Sequence, residues 1–250
     1  MNPQMSIDSI QVAKLKNVKH GFFGRLGGSS SRLFSSLNVS KFVGDDLDSV
    51  QKNLEGVRVS LGADILVTLK QIHSSKCLIV ENSDEMDQEA DAMVTNIKGI
   101  ALGVVTADCA PLLFFDETKN IVGAAHAGWK GAVGGIIEST LDCMQSLGSD
   151  LKNVVVAIGP CIHVNSYEVN EDFLSNFSDD KNSFVKIEGK YHFDLPKYCI
   201  GRLIDRGIHF ENIDLINVDT FQNPQKYFSF RYANKYSGSV CGRNLSVICL

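Results

Sequence analysis

The sequence lacks any paired-cysteine pattern. Its seven cysteines (77, 109, 143, 161, 199, 241 and 249) are odd in number and include no C-x-x-C pair, so no disulfide framework is written in it. No basic run occurs. With a formal net charge of -5 and a pI near 5.7, the chain carries neither an electrostatic footprint for nucleic acid nor a polybasic membrane anchor. Long apolar runs are missing too: the longest, 100–115, is broken by Asp108 and Pro111 and does not make a bilayer span. The opening segment MNPQMSIDSIQVAKLKNVKH has no uninterrupted apolar stretch of the signal-peptide kind, which points to a cytoplasmic protein with reduced thiols. There is no internal repeat, low-complexity tract or Pro- or Ser-rich linker, so residues 1–250 read as a single domain. What is present, 44% hydrophobic and 21% charged residues in a chain of 250, suffices for a full core. The expected partner is a small molecule, with no nucleic acid and no membrane.

Short apolar runs alternate with helical patterns. Segments 65–69, 77–80, 100–105, 112–115, 121–125, 154–158, 213–218 and 245–250 read as strands, several of them buried on both faces. A helix is expected from about Gly131, with Val133, Ile136, Ile137, Leu141, Met144 and Leu147 at three- and four-residue spacing and Gly148 as its stop. A second, 196–206, carries Cys199, Leu203 and Ile204 on one face and ends at Gly207.

Three candidate ligands stand where such strands end. In IALGVVTADCAPLLFF the strand breaks at Asp108 and Cys109. In IVGAAHAGWKG it ends at His126, before Gly128 and Gly131 allow a tight turn into the helix. In LKQIHSSK an apolar run ends at His73. Two imidazoles and one thiolate suit zinc, and three protein ligands leave a fourth position for water or substrate. A single His or Cys at a strand end is more often simply packed and hydrogen-bonded, and residues so far apart carry no spacing signature. The helix opening at 128–131 offers free N–H groups beside Lys130, the chemistry of an anion site, although the glycines also serve close packing. It is not a Walker A loop, because Trp129 separates glycine from lysine and no Ser or Thr follows.

Seven segments carry a resemblance: HGFFGRLGGSS, SLNVSKFVGDD, KQIHS, DAMVTNIKGIALGVVTADCAPLLFFD, VGAAHAGWKG, IGPCIHVNSYEV and YFSFRYANKYSGSVCGRNLSVICL. Together they resemble the polyphenol oxidase or laccase-domain family, of the purine nucleoside phosphorylase type. The resemblance covers nearly the whole chain. It implies an α+β fold built as a four-layer α/β/β/α sandwich with mixed sheets, similar to the catalytic domain of the cytotoxic necrotizing factor. It also implies zinc held by His73, Cys109 and His126, with copper binding in vitro unsurprising. The implied substrates are purine nucleosides and phosphate: phosphorolysis of adenosine, inosine, guanosine and methylthioadenosine, together with hydrolytic deamination of adenosine, for which zinc activates water. Arg25, Arg231 and Arg243 each match a family position, and the planar donor fork of each is suited to clamp phosphate or a ribose hydroxyl, with Asn38 a further expected substrate contact. Asp108 is expected to support a ligating histidine or to carry a proton. One departure is that Asp219-Thr220 stands where the family usually has Cys-Thr, so any role of that thiol is missing here.

Three other readings remain. A copper laccase needs a multinuclear cluster, and His20, His163, His192 and His209 are too few for it, with no His-x-His pair. A metal-free hydrolase would use Cys109 as a nucleophile activated by His126 or His73. An amidase that edits cell-wall precursors would use the same centre. The other cysteines are read as small buried hydrophobes.

Overall fold

Strands buried on both faces set the architecture. In the computed structural model, which describes residues 7–82, 84–177, 180 and 182–250, the chain opens on β1 (Ser9–Ile10), β2 (Lys19–Phe23) and α1 (Leu47–Leu61). There follow β3 (Ile65–Thr68), β4 (Cys77–Ile79), β5 (Ala92–Thr95), β6 (Ile100–Thr106), β7 (Ala110–Asp116), β8 (Ile121–Ala127), α2 (Trp129–Gly134) and α3 (Ile136–Ser146). The second half contains β9 (Val154–Ile158), β10 (Glu168–Val169), β11 (Phe184–Ile187), β12 (Lys190–Phe193), α4 (Leu195–Asp205), β13 (Ile213–Leu215), α5 (Phe230–Tyr236) and β14 (Asn244–Cys249). One sheet has the order β1-β2-β14-β6-β3, a second β13-β9-β7-β8-β5-β4, and a small third β10-β12-β11. Both large sheets are mixed: β14 runs antiparallel to β6 and β3 parallel to it, while β7 is antiparallel to β8 and β9 and β13 parallel to β9.

The period of two along each strand assigns its side chains to layers. In β7, Leu113 and Phe115 join Phe22, Leu102, Val122 and Ile248 in a core between the two large sheets. Leu112 and Phe114 point the other way, onto Ile136, Leu141 and Met144 of α3 and Leu203 of α4. In β14, Leu245 and Val247 pack under Val50, Leu54 and Val57 of α1, which lie at i, i+4 and i+7. Helix, sheet, sheet and helix therefore stack in four layers, an α+β fold. α1 begins where Asp46 accepts from Ser49 N at 2.9 Å and ends at Gly62, in the left-handed region at φ 60°.

The expected strands all appear: 154–158 keeps its bounds as β9, whereas the others shift at an end, 112–115 widening to Ala110–Asp116 and 213–218 shortening to Ile213–Leu215. The helix expected from Gly131 is instead two, α2 and α3. Gly135 at φ 93° is left-handed and breaks the helical ladder between them. Four of the cysteines read as buried (161, 199, 241 and 249) are so, whereas Cys77 and Cys143 are only half-buried between β4 and α3. Among the described residues, no helix is long and apolar enough to cross a membrane.

Candidate metal centre

Each of the three donor residues is held by a different piece of the fold. The chain leaves the first sheet after β3, and Gln71 pins it to β6 by exchanging two hydrogen bonds of 2.7 Å with the Val105 backbone. Residues 72–74 then wrap around the carboxylate of Asp91. Its Oδ2 accepts from Ile72 N (3.2 Å), Ser74 N (2.6 Å) and Ser74 Oγ (2.7 Å), and its Oδ1 accepts from His73 N (3.0 Å). This wrap holds His73 at φ 60°, a left-handed conformation that a free chain seldom adopts at a non-glycine residue.

His126 lies on β8, 3% exposed, with its Nδ1 2.8 Å from Asp91 Oδ1. That contact turns Nε2 toward the other donors. Cys109 occupies the crossing from β6 in one sheet to β7 in the other, after Asp108 at φ 88°. Asp108 is fixed from behind: Oδ1 accepts from Thr220 Oγ1 at 2.7 Å and Oδ2 from Arg231 N at 2.6 Å.

The three ligand atoms lie within 4.8 Å of one another, and Cys109 Sγ is 3.9 Å from His73 Nε2. A tetrahedral ion with bonds of about 2.0–2.3 Å sets such donors roughly 3.3–3.6 Å apart, so a contraction of about 1 Å closes the set around a metal. Gly128 keeps that space clear. A Cβ there would lie 2.8 Å from His73 Cδ2 and 2.9 Å from Cys109 Sγ. Its backbone, at φ -72° and ψ 164°, is open to any residue, so clearance rather than the expected tight turn explains this glycine. Donor chemistry, spacing, clearance and the Asp91 contact all fit a metal ion.

The electrostatics agree. Burial opposes ionisation of the Cys109 thiol, but His126 and His73 beside it outweigh burial and bring it down to about 6. Burial likewise opposes the His126 imidazolium, yet Cys109 and Asp91 raise it to about 9. For Asp91, bonds from His126 and Ser74 outweigh burial and hold the carboxyl at about 2.

Two cavities flank the donors. One, of about 570 Å³, is bounded by His73, Cys109, Trp129, Lys130, Tyr167 and Arg231. The other, of about 320 Å³, meets all three donors along with Phe42, Phe230 and Arg243. Arg231 is oriented by Glu168 O at 2.9 Å and lies over the Tyr167 ring at 5.2 Å. Of the residues expected from sequence, Lys130, Arg231, Arg243 and Asp108 are thus brought to the centre. Arg25 and Asn38 line neither cavity. Arg25 donates to Ser35 O and Pro224 O and stacks on Phe228 at 4.4 Å. Asn38 is fully buried and accepts from Arg243 N at 2.9 Å, so it meets the cavity lining only through the backbone of Arg243. The histidine support expected of Asp108 belongs to Asp91, because both Asp108 oxygens face Thr220 and Arg231 instead. Asp219 accepts from Ser166 Oγ (2.6 Å) and Phe221 N (3.0 Å) and so shapes the loop that presents Thr220. Sequence reasoning missed Asp91, whose one signal is an acidic residue opening the apolar run Ala92–Thr95.

A family model described as multi-copper polyphenol oxidoreductase laccase matches residues 19–250. A purine nucleoside phosphorylase of Rickettsia prowazekii (strain Madrid E) is 32% identical over 228 residues, 89% of this chain and 92% of that protein. An adenosine deaminase from an unknown prokaryotic organism is 31% identical over 207 residues, 76% of this chain and 78% of that protein. Among solved structures, a hypothetical protein of Bacillus licheniformis matches with a TM-score of 0.90 at 27% identity, covering 100% of both chains.

Proposed function

The chain belongs to the multi-copper polyphenol oxidoreductase laccase family, and we propose that it is a purine nucleoside phosphorylase that also deaminates adenosine, with one zinc ion held by His73, Cys109 and His126. The observation that carries this reading is the convergence of the three donors, ligand atoms within 4.8 Å, on cavities walled by aromatic and cationic side chains. The names of the relatives supply the substrate class. Held by these three residues, zinc would supply a Lewis acid able to activate water near neutral pH.

The chain's own residues divide the remaining work. The larger cavity lies in the range that encloses a small ligand, and Lys130 and Arg231 give it the cations that phosphate requires beside C1′ of the ribose. Arg231 presents a planar fork, held in place by Glu168 O and by Asp108 on its backbone N–H. The smaller cavity offers Phe42 and Phe230 to the faces of a purine and Arg243 to its polar edge. Phosphate attack at C1′ breaks the bond to the base, and water attack at C6 of adenine releases ammonia. Both proceed in one domain formed by the whole chain, and its seven unpaired cysteines accord with a cytoplasmic location.

Cys109→Ala tests the shared centre. Wild-type protein should form adenine and ribose 1-phosphate from adenosine only when phosphate is supplied, and inosine and ammonia with or without it. The variant should lose both reactions. Chromatography of the purine products from these four assays reads the outcome, and phosphorolysis persisting in folded, zinc-free Cys109→Ala would defeat the mechanism. One second reading has a specific observation behind it: the lowered Cys109 thiol beside the raised His126 is also the pair a thiol nucleophile needs. Full nucleoside turnover after chelation of all metal would favour it.

A further inference from the structure

The carboxylate of Asp91 touches no cavity and no substrate position described above, yet it meets both histidines of the centre. Its two oxygens are used unequally. Oδ2 takes three donors, from Ile72 N, Ser74 N and Ser74 Oγ, while Oδ1 takes His73 N and faces His126 Nδ1 at 2.8 Å. A carboxylate accepts hydrogen bonds and donates none, so with Asp91 at Nδ1 the neutral imidazole carries its proton there and offers the lone pair of Nε2 to the metal. We infer that Asp91 is the positioning residue of this centre: it selects the metal-binding tautomer of His126 and, through the same group, folds residues 72–74 into the loop that presents His73. The inference rests on the zinc reading given above and extends it to a residue outside the ligand set. Asp91 is fully buried, and its backbone O also accepts from His126 N at 2.8 Å, so side chain and strand register are set at one point.

Asparagine at position 91 separates positioning from mere packing. It matches aspartate in shape, and its single carbonyl oxygen is drawn to the Oδ2 place, where three donors converge. The NH2 group then leaves His73 N without its acceptor and faces His126 Nδ1, to which it donates, moving the imidazole proton to Nε2 and removing that ligand atom. Asp91→Asn should bind zinc about 10- to 100-fold more weakly than wild type, with an unchanged far-ultraviolet circular dichroism spectrum. The affinity is read by competition with a chromophoric chelator. The zinc-loaded wild type gives a second readout that needs no variant: long-range nitrogen–proton NMR of labelled histidine should place the His126 proton on Nδ1. A proton on Nε2 overturns the inference whether or not Asp91→Asn folds. Zinc affinity in folded Asp91→Asn within twofold of wild type overturns the role of Asp91 alone, whereas failure of the wild type to bind zinc overturns the metal reading and this inference together.

Discussion

At the scale of single residues, the centre depends as much on what is left out as on what is placed there. His73, Cys109 and His126 were legible singly, each at the end of an apolar run, but as a set only through the family resemblance, because residues so far apart carry no spacing signature. Asp91 was not legible in the same way, since its partners lie 17–19 and 35 positions away and only the folded chain brings them to one carboxylate. Gly128 was legible as a glycine but not for its purpose, which is clearance beside His73 and Cys109. Alanine suits the backbone at that point, where it would gain about 0.4–1 kcal/mol by restricting the unfolded chain. The added methyl would push on two ligands, however. Gly128→Ala should therefore leave the melting temperature of metal-free protein close to wild type while weakening zinc binding by about an order of magnitude, the scale on which disturbed ligand supports act. Undiminished zinc affinity in chelator competition would show that the clearance is not needed.

At the scale of elements, paired sequence signals were strongest where both faces of a strand are buried and weakest where the chain is half exposed. The runs that became β6, β7 and β8 stand out because every second residue feeds a different core. The strands β10, β11 and β12 are short and only partly buried, with no sustained alternation long enough to separate them from loop. Helix α1 escaped notice because its apolar stripe of Val50, Leu54 and Val57 is diluted by charged neighbours. Connections between elements also rest on buried polar groups, of which Asp116 is a clear case. It is wholly enclosed at the end of β7, where Oδ1 accepts from Thr118 N, Thr118 Oγ1 and Lys119 N, and Oδ2 from Ser149 Oγ and Asp150 N. One carboxylate thereby ties the β7–β8 turn to the link between α3 and β9. Burial works against its ionisation, but these bonds outweigh burial and hold the carboxyl below its usual value of 3.8. A carboxyl whose pKa is depressed by folding stabilises the native state above the unfolded pKa and loses that contribution as pH falls through the folded one. Asp116→Asn should cost about 1–3 kcal/mol near neutral pH, because its amide NH2 meets a donor at Asp150 N. Urea unfolding should show the deficit narrowing as pH drops below about 4, since only the wild type titrates there. A constant deficit throughout would contradict this account.

At the scale of the whole molecule, the centre lies where the two large sheets exchange the chain. His73 follows β3 of the first sheet, Cys109 sits on the crossing from β6 to β7, and His126 belongs to β8 of the second. The layer arrangement follows from side-chain alternation, but this meeting point follows from topology, because the order of strands in each sheet decides which ends lie together. A metal bound here joins both sheets at one end of their shared core, so its binding energy adds to the stability of the entire fold. For a ligand that binds only the native state, a free concentration 100 times its dissociation constant contributes about 2.7 kcal/mol. In a chain of this size that corresponds to a rise in melting temperature of roughly 5–11 °C. Zinc at that excess should produce such a shift in metal-free wild-type protein, a chelator should reverse it, and Cys109→Ala should show little of it because the ligand bridging the sheets is gone. The magnitude matters as well as the sign. Zinc attached to an exposed surface group gives a shift that survives in Cys109→Ala, whereas an ion clasped by His73, Cys109 and His126 cannot. Calorimetric scans of both proteins, with zinc and with chelator, decide between these, and an equal shift in wild type and variant would remove the metal from the sheet crossing.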